Sequence, residues 1–242
     1  MDFKYNLGKE GEMNYIGQSI NEIFETISIK STKDVASVED DYYFQISPMD
    51  DFTKKYSENL KDNLYLMTSG PHTDEMMYGN VCSHILTSPL KVYLPLLKLK
   101  DHEYVIVDEK GGTDGVGTGI ITGFNLAAVV AEPTIYGVKS AYQIINMLHF
   151  YNTPYVVVIN KIRDNVKGEE LEKIREDFKK TKALGIFEFG LDFSVLDLEL
   201  NENYKKEFLK LFEVVQKLSD DRKERTKERI KKQEEFNKNK TK

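Results

Sequence analysis

The sequence predicts an α/β fold: a mostly parallel sheet with helices on both faces, three layers in all. Three observations predict it. Residues 104–108 (YVIVD), 125–131 (NLAAVVA) and 155–160 (YVVVIN) are continuous apolar runs rich in Val, Ile and Ala, the pattern of strands covered on both sides. Stretches with helical spacing separate the later ones, as in Val138, Ala141, Ile144, Ile145 and Leu148. Connections of that length join neighbouring strands in parallel. Parallel strands place their carboxyl ends along one edge, where open α/β sheets bind ligands.

In chain order, residues 14–29 have the helical spacing Ile16, Ile20, Ile23, Phe24 and Ile27. Residues 42–46 and 64–68 read as strands, 81–98 as a helix with prolines near its ends, and 104–108 as a buried strand. The strand at 125–131, the helix at 135–151 and the strand at 155–160 follow, the last being the strongest strand signal in the chain. A charged helix at 169–181, a short strand at 185–189 and an amphipathic helix at 203–218 complete the pattern. Beyond Leu218 only Ile230 and Phe236 are large and apolar. That segment has no stripe to bury, so an exposed or frayed helix, or a disordered tail, is expected. The organisation read from this is one α/β domain over residues 1–216 and a charged helix or tail over 217–242.

With 40% apolar and 31% charged residues, the 242-residue chain suits a globular protein with a charged appendage. It has no run of eighteen apolar residues, hence no membrane span. The start, MDFKYNLGKEGEMNY, has no apolar segment of the kind a secretory signal needs. One cysteine, Cys82, excludes an internal disulfide framework and points to a reducing, cytoplasmic compartment. The net charge is −6, yet residues from Lys217 onward hold eleven Lys and Arg against six Asp and Glu. The body is therefore strongly acidic, which argues against a nucleic-acid partner.

The loop after residue 108, DEKGGTDGVGTG, invites two phosphate-binding readings, and both fail. Gly112 and Gly117 give G-x-x-x-x-G, but Thr118 and Gly119 stand where a P-loop has Lys and Ser or Thr. Gly115 and Gly117 begin G-x-G-x-x-G, but Ile120 occupies the third glycine's place. A third reading fits: an apolar strand ending in Asp, with glycine four residues on. The carboxylate can hold Mg²⁺ through water, and the glycine N–H can reach a terminal phosphate with no side chain in the way.

Asp108 to Gly112, followed by Gly117-Thr118-Gly119, is similar to the D-x-x-x-G-x-x-x-x-G-x-G of the MinD/ParA/CooC group (SIMIBI class) of P-loop ATPases. The chain resembles most the CooC-type accessory ATPases of nickel-enzyme maturation. Glu132-Pro133-Thr134 with Ser140-Ala141 resembles the group's E-P-[ST] element, and Asn160-Lys161 the pair it sets beside adenine. Residues 2–8 (DFKYNLG) resemble its D-P-N-x-N-L stretch. Gly79-Asn80-Val81-Cys82 falls where the CooC type carries G-C-x-C. In matching order the resemblance covers roughly residues 2 to 215. It implies ATP and Mg²⁺ as ligands. Asp108 would hold the metal, with Gly112, Glu132, Pro133, Asn160 and Lys161 around the nucleotide. Asp2 would be the acid that positions the attacking water, and Cys82 a ligand to a second metal. It also implies a homodimer that closes on ATP and signals to a client protein.

The sequence departs from the group in two places. No K-G-G-x-G-K-[ST] loop occurs in the 242 residues, so ATP hydrolysis is not expected of them alone. The sheet is expected to lack its first strand, to expose two strand edges and to be completed by a partner. The cysteine pair is reduced to Cys82, with Asn80 in the first position. Each candidate also has a plain structural reading. Asp108 suits a helix cap, Glu132-Pro133 a strand stop, Asn160-Lys161 a turn, Cys82 a small core residue and Asp2 a solvated terminus. His72, Cys82 and His84 form no standard zinc spacing. Arg163 stands where a guanine-selective N-K-x-D has its Asp, which favours adenine. Three functions fit: an ATP-dependent switch, a non-catalytic binding module descended from one, or an unrelated α/β domain whose glycine loop takes another anion.

Overall fold

The computed structural model describes residues 14–39, 42–162, 166, 168–190 and 202–240. These fall into two compact units. One is Lys110–Arg225; the other joins the described residues up to Glu109 with those from Thr226 onward.

In the second unit, a single 3₁₀ turn (Ile16–Gln18) leads into α1 (Ile20–Thr26). Strand β1 (Phe44–Gln45) precedes α2 (Asp51–Tyr56), whose first turn is capped by Asp50 accepting from the Thr53 N–H at 2.8 Å. Then come β2 (Glu58–Lys61) and β3 (Leu64–Leu66), an antiparallel hairpin, and the one-turn helices α3 (Asp74–Met77) and α4 (Leu90–Tyr93). The strand β4 (Leu97–Lys98) pairs with β1 in parallel. The core combines aliphatic residues such as Ile16, Ile23, Val35 and Leu96 with an aromatic cluster, in which the Phe44 ring lies 5.1 Å from Phe52 and 4.8 Å from Tyr93. The Tyr93 hydroxyl meets Thr53 Oγ1 at 2.8 Å, and burial holds that phenol far above its ordinary pKa.

Two expectations change here. Residues 81–98 do not form one helix but two 3₁₀ turns, α4 and β4. Pro89 and Pro95 have no N–H to donate and prevent a continuous ladder. Residues 104–108 do not form a buried strand. They are in no strand, and Tyr104, Val105 and Ile106 are exposed. A β-branched run becomes a strand only where neighbours supply its hydrogen bonds, and no described strand pairs with it.

The unit from Lys110 builds the main sheet. A single turn, α5 (Asp114–Gly117), precedes β5 (Ala127–Ala131), α6 (Ile135–Phe150), β6 (Tyr155–Ile162), α7 (Gly168–Lys179), β7 (Ile186–Gly190), α8 (Glu202–Gln216) and the first turn of α9 (Arg222–Lys240), whose residues from Thr226 onward belong to the other unit. The sheet is all parallel in the order β5-β6-β7. Alternation sends Val156, Val158, Phe187 and Phe189 to one face, where they pack against Leu126 and against Tyr204, Leu211 and Val214 of α8. Helices α6 and α7 lie side by side on the other face, with Tyr142 stacked on Phe178 at 5.5 Å. Arg175 of α7 reaches Glu188 of β7 there, fixing which face α7 covers. These layers match the expected architecture of parallel strands between helices.

Among the described strands, β5 and β7 are the two edges of this sheet. Val129 and Ala131 of β5 are buried on the α6 side, while Val130 points to the α8 side and is 60% exposed. The C-terminal segment also differs from its pattern. Helix α9 buries Arg222, Arg225, Thr226 and Ile230. Arg222 pairs with Asp220, and Arg225 donates to the Phe124 carbonyl. Beyond Ile230 every described residue of α9 is exposed.

Candidate functional site

The carboxyl edge of the parallel sheet carries the residues singled out in the sequence. Register places Ala131 of β5 opposite Ile159 of β6, so Glu132, the first residue beyond β5, lies level with Asn160 of β6. The ladder between β6 and β7 is interrupted between Ile159 and Ile162. Within that irregularity Lys161 takes a left-handed backbone, φ +58, a conformation that costs a residue with a Cβ about 1 kcal/mol. Its ammonium donates to Glu132 Oε1 at 2.5 Å, with the two side chains 51% and 45% exposed. An exposed pair of this kind contributes little stability. A strained residue that adds little to stability is a mark of function.

Helix α6 begins directly over this pair. Thr134 caps it, accepting the Gly137 N–H at 3.0 Å. The Thr134 N–H donates to the Glu132 carbonyl at 2.8 Å. A Cβ on Gly137 would lie 2.4 Å from that same carbonyl oxygen. Only glycine lets the first turn of α6 sit this close to the strand end. Pro133 lies inside this tight turn. The structure thus joins Glu132, Pro133, Asn160 and Lys161 at one edge. Sequence reasoning singled these out but missed Gly137; a glycine three residues after a capping threonine was the available signal.

The glycine loop divides in two. Gly111 and Gly112 have nothing within 4 Å of where a Cβ would be, and Gly112 has φ +97. Beyond them the loop is packing rather than ligand surface: Val116 and Ile120 are buried, and a Cβ on Gly117 would lie 3.2 Å from Met147 Cε. The Thr153 hydroxyl donates to the Ile121 carbonyl at 3.1 Å. Asp108 is exposed and belongs to the unit ending at Glu109, whereas Gly112 belongs to the unit beginning at Lys110. Burial, then the neighbouring Asp108 carboxylate, raise the Glu109 pKa above its ordinary value.

Cys82 is exposed, so the buried-core reading does not hold for it. Its Sγ lies 2.7 Å from Nδ1 of His84. Among the described residues no three His, Cys, Asp or Glu side chains are grouped to hold a metal ion. Asp2 lies outside the described residues. No helix among those described is long and apolar enough to cross a membrane.

One relative stands out by sequence. An uncharacterized ATP-binding protein of Methanocaldococcus jannaschii is 29% identical over 159 residues. Those residues are 64% of this chain and 61% of that protein, so the match spans less than two thirds of the relative's length. No family model matches the chain. No solved structure matches it.

Proposed function

We propose that the chain is the base-binding part of a nucleotide-dependent switch protein of the MinD/ParA/CooC type, with ATP as its ligand. The observation that carries this reading is the Glu132–Lys161 pair at the carboxyl edge of the sheet, held on a strained Lys161 beneath the start of α6. The ATP-binding name of the M. jannaschii relative supports it. Asn160 and Lys161 lie beside the base, with Glu132 orienting the lysine and Gly137 bringing α6 close. Gly111 and Gly112, free of steric neighbours, suit a backbone that must approach a phosphate.

Mg²⁺ fits the chemistry of Asp108 and Glu109. Two adjacent carboxylates, one already disfavoured as a charge, are relieved by a cation. Asp108 would hold it, the other ligands being phosphate oxygens and water. When bound, the metal neutralises phosphate charge. Binding without turnover is expected of these 242 residues, which contain no G-x-x-x-x-G-K-[ST] sequence. A homodimer, a client protein and a role for Cys82 in metalloenzyme maturation belong to the same reading.

Calorimetric titration of the full chain with Mg-ATP tests it. Binding is expected to weaken about tenfold in Lys161→Ala, the loss of one charge-assisted hydrogen bond. Asp108→Ala is expected to remove the Mg²⁺ dependence alone. No detectable ATP binding, or affinity indifferent to Lys161→Ala, would sink the proposal. The binding-module reading is favoured by one observation, the exposed apolar run before Asp108.

A further inference from the structure

We draw no further inference here: the strongest candidate, the side-chain cluster at the start of the 3₁₀ turn Ser83–Thr87 in which the exposed Cys82 thiol lies 2.7 Å from Nδ1 of His84, has no third His, Cys, Asp or Glu grouped with it among the described residues and restates the metal-ligand role for Cys82 that the proposed reading already contains.

Discussion

Gly137 is where a single missing atom decides local structure. Its Gly→Ala variant puts a Cβ 2.4 Å from the Glu132 carbonyl, so α6 must shift from the strand end. The expected cost is about 1–3 kcal/mol, measured by urea unfolding, together with weakened nucleotide binding. Lys161→Gly should separate the two quantities. Relief of the left-handed backbone, offset by the greater unfolded-state entropy of glycine, is expected to leave stability unchanged to within about 1 kcal/mol, while loss of the ammonium weakens binding. A parallel fall in both would mean that Lys161 is structural. Asp34 gives the pH dependence. The Lys30 backbone N–H first, against the cost of burial, and then Ser31 hold its carboxyl below its ordinary range. A lowered folded-state pKa contributes stability that is present above the unfolded carboxylate value and lost as pH falls through the folded one. Asp34→Ala is therefore expected to cost about 1 kcal/mol at neutral pH, with the gap closing as the pH falls below the ordinary carboxylate range in thermal melts.

At the scale of elements, the strands flanked by long helices were legible because their burial is encoded twice, in composition and in spacing. Strands β5 and β6 and helix α6 lie within two residues of where the pattern puts them. Three elements were not legible, each for its own reason. The 81–98 helix fails because Pro89 and Pro95 act on the backbone while leaving the apolar period intact. Residues 104–108 read as a strand because the signal reports the need for cover, not its presence. The buried half of α9 was hidden because arginine counts as polar, although its hydrocarbon stem packs like an aliphatic chain. Arg222 and Arg225 are buried in that way. Thr134→Ala removes the cap of α6 and is expected to cost about 1 kcal/mol, read from denaturant midpoints. It leaves Lys161 in place, so the nucleotide should still bind, more weakly.

For the molecule as a whole, the division between Glu109 and Lys110 left no trace in composition. It falls inside a loop with no linker character, because spatial contacts alone define it. The candidate site was half legible. The sequence named Glu132, Asn160 and Lys161, but pairing between Glu132 and Lys161 depends on strand register, which no single segment carries. Truncation is expected to show how unevenly α9 contributes. Removing residues 231–242 deletes only exposed described side chains and should change stability by under about 0.5 kcal/mol. Removing everything from Arg222 strips buried Thr226 and Ile230 and should broaden or abolish cooperative melting. One further feature makes such experiments simple. Cys82 is the single cysteine and it is exposed beside His84. These 242 residues therefore accept one thiol-reactive fluorophore or spin label at one known position, with no cysteine to remove first. With no tryptophan to compete, that label is a clean optical reporter for its own unit.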